Sequence, residues 1–506
     1  MKKHNISLYL IITLILVCSS IEQLIAQGNS LFSDEVLHEI RFTNVDTSFF
    51  IQSKDYQMVT VSIDGTTISD IGFRKKGNIS AFHPNNKVPF KIKTNRYVDG
   101  QLYDGIREFT LHNNFQDPSM LREKLTYDLL EDLDLYSLQT AFAKVYINEQ
   151  CWGLYTLVEA KDELYRRAFG DDDGSVLESL DFGYMCYEGP NQQDYYNDLF
   201  EDYDYILDNG SEALAWEHFP SMLEVANNTP ADQYVDVVSE QLNITDFTKY
   251  QAANVFLLNF DSYIAFLGNQ LYYYEESTGI WQVIPWDFNA SFGLWNTNQN
   301  NPSDYPILPN SITNGCIGEH IPNVPELRAI YLNTLCDLVN TYSSPSALAE
   351  RVEHWSDQIQ EAVLTDSRKA FDNAIFETAL GDTYFSLPWE GNVPGLAAFG
   401  ADRAAKVQAD LMDIGHECTI TSTTNIPQED LQISLYPNPS SDLLRITVNS
   451  AITIEHSQIF ASNGQSMQQW DGHRTEVNIS ELKPGIYFMK FFTTSGEYST
   501  IRFVKQ

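Results

Sequence analysis

Leu121, Leu125, Leu129 and Leu133 recur at four-residue spacing behind Asp117 and Pro118, and they predict one amphipathic helix in a stretch that otherwise alternates like strand. A helix set singly among strands must bury its apolar stripe against a sheet, so this half of the chain is mixed α and β. Ahead of it, Val59, Val61 and Ile63 alternate with polar residues, Asp64-Gly65 turns the chain, and Ile68 to Phe73 returns it. Pro89-Phe90-Lys91-Ile92-Lys93 is a further strand, with Phe90 and Ile92 on one face and both lysines on the other. Behind the helix, Phe142 to Ile147 and Trp152 to Glu159 pair across an Asn148-Glu149 turn, and from Ala160 the pattern becomes helical and polar.

The second half is helical from 211 to 258 and again at 325 to 341, 346 to 364 and 399 to 413. Between these blocks lie Asn259-Phe260-Asp261, Asn269, and Ile284-Pro285-Trp286-Asp287-Phe288-Asn289, which place oxygen-bearing side chains in an apolar stretch. Residues 270 to 274 and 280 to 285 are strand-like, and Glu275 to Gly279 forms the hairpin loop between them. A loop centred near Ser277 sets Asn269 opposite Pro285, with Asp287 two residues beyond. Strand spacing then puts the Asn269 and Asp287 Cβ atoms roughly 7 to 8 Å apart, within reach of one cation. Trp286 and Tyr272 to Tyr274 read as core, and Arg122 as a structural ion-pair partner of Glu159 or Asp287. Residues 296 to 323, rich in Asn, Pro and Ser, read as a loop near this site.

A basic, glycine-containing run, Arg74 to Ser80, follows the first hairpin. It is either a phosphate-holding loop or a plain hairpin tip. The formal charge of −38, from 69 acidic and 31 basic residues, argues against a nucleic-acid partner and favours divalent cations or basic substrates. Lys2-Lys3, the apolar run Leu8 to Val17 and the small residue Ala26 form a signal peptide over 1–26. No later segment offers about 18 uninterrupted apolar residues, so no transmembrane span is expected. Export permits disulfides among Cys151, Cys186, Cys316, Cys336 and Cys418, with one cysteine left over. A polar linker over 419–430 then separates a tail, 431–506, whose strands and turns predict a small β-sandwich.

The landmarks of that tail are Tyr436-Pro437-Asn438-Pro439, Asn463-Gly464-Gln465, Leu482-Lys483-Pro484-Gly485-Ile486-Tyr487 and Arg502-Phe503-Val504-Lys505. They resemble the C-terminal sorting domain read by the type IX secretion system, which implies export to the cell surface or medium and contact with that machinery. The body resembles the spore coat protein H (CotH) family of atypical secreted kinases. The carriers are Phe73 to Ser80, Pro89-Phe90-Lys91, Asp117 to Glu123, Val145 to Asn148, Trp152-Gly153-Leu154-Tyr155 with Val158-Glu159, and Ile284-Pro285-Trp286-Asp287. The resemblance implies an α+β, kinase-like two-lobed fold, with an N-lobe over 27–160 and a mostly helical C-lobe over 161–418.

It also implies transfer of phosphate from ATP, with Mg²⁺ or Mn²⁺, to Ser or Thr of a surface or co-secreted protein. By position, Asp261 would be the catalytic aspartate and Asp287 the metal ligand, with Asn269 and Asn289 as further metal-binding positions. Lys91 or Lys93 would meet the phosphates with Glu123 as helix partner. The loop carrying Arg74, Lys76, Asn78 and Ser80 would cover the nucleotide, and Glu159 would lie at the hinge. Asn289 stands where protein kinases have glycine, which excludes an ordinary Ser/Thr kinase. A second function class stays open: a surface adhesion or assembly protein that keeps the fold as a binding platform.

Overall fold

A computed structural model describes residues 28–418 and 433–505, apart from 83–84, 171–172, 181–182, 200, 266–268, 296–300, 314–315, 343–344, 388–390, 448–452, 462–465, 481, 484 and 494–497. The signal peptide, the linker and the Asn463-Gly464-Gln465 turn lie outside the described residues. The chain divides into two compact units, one ending at Cys418 and the other beginning at Thr419.

The first seven strands are β1 (His38–Thr43), β2 (Gln57–Ile63), β3 (Thr66–Lys75), β4 (Phe90–Lys93), β5 (Glu108–His112), β6 (Thr140–Ile147) and β7 (Gln150–Glu159). They close into a barrel in the order β1-β2-β3-β4-β5-β7-β6. Closure comes from β1, which pairs antiparallel with β2 (Ile40 with Ile63) and parallel with β6 (Ile40 with Val145). Closure removes the exposed edges that an open sheet would carry. Sequence periodicity located β2, β3, β4, β6 and β7 but not β1 or β5, so a closed barrel was not expected. Both missed strands are short, and β5 is buried at four consecutive positions, so it lacks the polar alternation that marks a half-exposed strand.

The barrel interior is aromatic. Phe73 stacks within 4.6 Å of both Phe42 and Phe90. Helix α1 (Thr47–Gln52), capped by Asp46, plugs Phe50 edge-on against Phe90 at 5.4 Å. The helix predicted from the leucine repeat, α2 (Arg122–Asp132), begins five residues after Asp117. Asp117 still serves its start, accepting from the Arg122 backbone N at 3.0 Å and the Arg122 guanidinium at 2.7 Å. Arg122 therefore pairs with Asp117, and not with Glu159 or Asp287 as expected, because the residue five positions back is already desolvated beside it. Leu125 and Leu129 join the larger core, which combines the outer faces of β6 and β7 with the helical region.

The region from 161 to 413 is not a helical body with a lone hairpin. The hairpin strands Leu271–Glu275 and Ile280–Ile284 belong to a four-stranded sheet with Ser175–Ser179 and Tyr205–Asn209. Helices Glu212–Asn228 and Ile244–Leu257 pack on it, Pro325–Tyr342 packs on Ile244–Leu257, and Pro345–Thr365 lies against β7 and Leu396–Asp413. Pro302–Asp304, Asn310–Thr313, Cys316–Glu319 and His320–Asn323 form short helical turns within the stretch expected to be a loop. Cys186 bonds Cys316 and Cys336 bonds Cys418, which leaves Cys151 exposed as the odd thiol. In the second unit, the described strands form a three-stranded and a four-stranded sheet around one core, including Leu444, Ile459, Met489 and Phe503. The expected sandwich is therefore present.

Two fully buried charges tie the first unit together. Lys87 meets Asp366 at 2.7 Å, joining the segment before β4 to the end of helix Pro345–Thr365. Arg403 donates to the carbonyls of Val255, Phe256, Ser303 and Tyr305. Replacing Arg403 with Met should lower unfolding free energy by about 3 kcal/mol in urea denaturation, because buried carbonyls lose their donor. Iodoacetamide applied to the folded, unreduced protein should label Cys151 and none of Cys186, Cys316, Cys336 or Cys418.

Candidate active site

Lys76 follows the last residue of β3, and its backbone N bonds Pro89 O at 3.0 Å. The next residue, Gly77, has φ +79, and a Cβ there would fall 2.3 Å from Ser80 Oγ. Only glycine fits that turn. The turn aims the Lys76 ammonium at His112, the last residue of β5, with Nζ to Nε2 at 2.7 Å. His112 Nδ1 meets the Glu123 carboxylate at 2.8 Å, and Glu123 lies in the first turn of α2. Strand, strand and helix are thus linked through one chain of side chains.

Asp287 completes the group. It leaves the hairpin through Pro285 and Trp286 and takes a left-handed backbone, φ +59, which Asp tolerates better than most residues. Phe288 anchors this turn, its ring edge-on to Tyr127 of α2 at 5.4 Å and to Tyr250 of helix Ile244–Leu257 at 6.2 Å. Ser291 Oγ lies 2.8 Å from Thr126 Oγ1, so the turn and α2 are held to each other. The Trp286 ring is half-buried rather than core, with Lys76 Nζ 5.5 Å and Lys161 Nζ 5.4 Å from its centre.

Burial lowers the Lys76 pKa to about 8, although Asp287 and Glu123 pull it upward. Burial, and then the Glu123 charge, raise Asp287 above the usual carboxylate range, while His112 and Lys76 oppose that rise. Among the described residues Asp287 makes no ion pair within 4 Å. A cation beside Asp287 would favour its ionised form.

The other expected residues divide into those at this site and those committed elsewhere. Asp261 is buried in the loop after helix Ile244–Leu257, and Asn269 Nδ2 donates to its Oδ1 at 2.7 Å. Burial raises the Tyr250 pKa well above the ordinary phenol value, and the charges of Asp261 and Asp287 add to that rise. Strand register pairs Leu271 with Ile284 and Glu275 with Ile280, one residue off the expected pairing. The reason is a four-residue loop, in which Gly279 at φ +75 bonds back to Glu275 O at 2.8 Å. Asn269 precedes the paired residues, and its amide is given to Asp261. Asn289 is half-buried two residues beyond Asp287.

Lys91 is ion-paired with Glu108, and Lys93 lies 3.7 Å from the same carboxylate, so neither lysine meets Glu123. Burial works against the Lys91 charge, but Glu108 outweighs it and raises the pKa. The Glu159 carboxylate is taken by Arg167 at 2.8 Å and the Gln139 amide at 3.0 Å. Arg74 lies over the Tyr56 ring at 5.2 Å, Asn78 accepts from Lys54 at 2.9 Å, and Ser80 O accepts from Asn113 at 3.0 Å. Sequence reasoning missed His112 and Lys161. His112 ends an unrecognised strand, and Lys161 carries no signal beyond its place after Glu159.

Residues 73–407 match the family described as CotH kinase protein, a span that contains every residue of this site. The chain belongs to the CotH kinase protein family. Residues 434–506 match the secretion system C-terminal sorting domain, which indicates export to the surface or medium through that machinery. The inner spore coat protein H of Bacillus subtilis (strain 168) is 26% identical over 303 residues, covering 56% of this chain and 75% of that protein. Among the described residues no helix is long and apolar enough to cross a membrane.

A phosphate group placed beside Lys76 would meet a charged ammonium below about pH 8 and a neutral amine above it. Calorimetric titration with Mg²⁺-ADP should show affinity falling as pH rises through about 8. Lys76→Arg, which stays charged, should flatten that limb.

Proposed function

We propose that the chain is an exported atypical protein kinase that transfers the γ-phosphate of ATP to Ser or Thr of a surface or co-secreted protein. The carrying observation is the linkage of Lys76 through His112 to Glu123, set beside an Asp287 that feels the charges of Lys76 and His112 and makes no ion pair within 4 Å among the described residues. On this reading the barrel and the helical region are the two lobes of a kinase-like fold. The donor set suits a hard cation, since Asp261, Asp287, Asn269 and Asn289 offer carboxylate and carboxamide oxygens.

Bound Mg²⁺ or Mn²⁺ with ATP supplies the phosphoryl group and the cationic charge that offsets its oxygens. The protein supplies position and field. Asp287 would hold the metal, and Lys76 would neutralise phosphate oxygens, a part expected of Lys91 or Lys93 before Glu108 was seen to occupy them. His112 and Glu123 hold Lys76 in place. Asp261, oriented by Asn269, would accept the proton of the substrate hydroxyl. Asn289 brings oxygen without charge, so metal affinity is expected to be weaker than with a second carboxylate.

A second reading, a binding platform without transfer, draws on one observation: among the described residues no three His, Cys, Asp or Glu side chains form a metal-holding group. Incubation with ATP labelled at the γ or α position, with Mg²⁺ or Mn²⁺ and a co-secreted protein fraction, separates the readings. Transfer of γ-label that drops about 100-fold or more in Asp261→Ala and Asp287→Ala supports the kinase. Transfer of α-label would mean adenylylation, and no nucleotide binding in calorimetry would sink both enzymatic readings.

A further inference from the structure

Between strands Ser175–Ser179 and Tyr205–Asn209 the chain makes a long excursion, and a cavity of about 200 Å³ opens in it, lined by Tyr184, Cys186, Glu188, Tyr195, Asp204 and Tyr205. Packing sets its walls. Tyr195 stands edge-on to Tyr205 at 5.8 Å, and Tyr205 meets Phe219 in the same way at 4.8 Å. The Tyr195 hydroxyl donates to Gly189 O at 3.0 Å, and the Tyr205 hydroxyl accepts from Met185 N at 2.7 Å, so both rings are held in orientation.

Two carboxylates share this cavity without a counter-charge. Among the described residues neither Glu188 nor Asp204 makes an ion pair within 4 Å, and Asp204 accepts from the neutral Asn197 amide at 3.2 Å. Burial first, and then the Glu188 charge, raise the Asp204 carboxyl above its usual range against the Asn197 contact. These groups select the occupant. An anion is repelled by both carboxylates, and an apolar guest would desolvate them with no partner. A metal ion wants more oxygens than two, and among the described residues no three His, Cys, Asp or Glu side chains form a metal-holding group. Phenol rings beside carboxylates suit an organic cation, an ammonium or guanidinium on an apolar stem.

Two routes join the cavity to the loop of Asp261, and both end at Tyr263, two residues after that aspartate. Tyr184 meets the Tyr263 ring edge-on at 6.2 Å. Cys186 is bonded to Cys316, and Gly318, in the same short turn, donates its backbone N to the Tyr263 hydroxyl at 2.9 Å. We propose that the cavity takes a lysine or arginine side chain of the acceptor protein, one close in sequence to the Ser or Thr presented to Asp261. The acceptor role rests on the kinase reading above, whereas the cation site does not. A chain of net charge −38 also draws a basic partner toward it before docking.

The test uses the full secreted chain and fluorescent serine peptides in which one Lys or Arg is stepped from three residues before the serine to three after, each with a Gln counterpart. Anisotropy without nucleotide should show, at one of these positions, the basic peptide binding about tenfold tighter than its Gln partner. Asp204→Asn should shrink that ratio, and Glu188→Lys, an exposed position that supplies its own ammonium, should bring it to about one. Equal binding of basic and Gln peptides at every position, or a ratio that survives Glu188→Lys, would overturn the proposal. Acetyl-lysinamide binding as tightly as the best peptide would mean a site for a free amine and would remove the acceptor role. In γ-label transfer the same preference should appear in KM, with kcat alike for the two peptides. Lysine-dependent binding with no transfer to these peptides or to the co-secreted fraction would refute the kinase reading and leave the cation site standing.

Discussion

A guanidinium sealed from water has to find acceptors, and Arg403 finds them at the end of one helix. Its donors reach the carbonyls of Val255 and Phe256, two of the last residues of helix Ile244–Leu257, and those of Ser303 and Tyr305. Burial lowers its pKa to about 10, still far above neutrality, so the charge persists. The helix C-terminus, with its partial negative charge, compensates it. The consequence is local and functional. The helix stops at Leu258, which turns left-handed at φ +50, and the chain enters Asn259-Phe260-Asp261 from a clamped end.

Charge at the candidate site is divided by structural origin. The barrel contributes Lys76 and His112, α2 contributes Glu123, and the other region contributes Asp261 and Asp287. Lys76 and Lys161 both lie near the Trp286 ring, and the lysines of this region sit among carboxylates: Lys161 pairs with Asp208 at 2.6 Å, Lys91 with Glu108, and Lys76 feels Asp287 and Glu123. Because α2 packs into the core shared by the outer face of β6–β7 and the helical region, Glu123 and Phe288 sense the same interface.

Much of this was legible in the residues. The β2–β3 hairpin, the two-faced β4, the leucine helix and the late helices all carry a period that burial enforces. Asp261, Asn269 and Asp287 stood out because polar oxygens in an apolar stretch demand a partner. The resemblance puts Lys76 in a covering loop and Lys91 or Lys93 against phosphate, whereas in the structure Lys76 meets His112 and Lys91 meets Glu108. Alternation alone could not separate them. It places Lys91 outside the barrel, and only the facing strand supplies Glu108.

What the sequence alone determined was β2, β3, β4, β6 and β7, the leucine helix and the late helices, with the export tail and the identity of the acidic residues. These depend on periodicity and on motifs that span a few neighbours. Tertiary structure decided the closure of the barrel through β1, the one-residue register of the Leu271–Ile284 hairpin, and the partners of Lys76, Glu123, Glu159 and Arg122. Each of those is a choice among groups that are chemically equivalent along the chain. The choice is made by which of them folding brings together away from water.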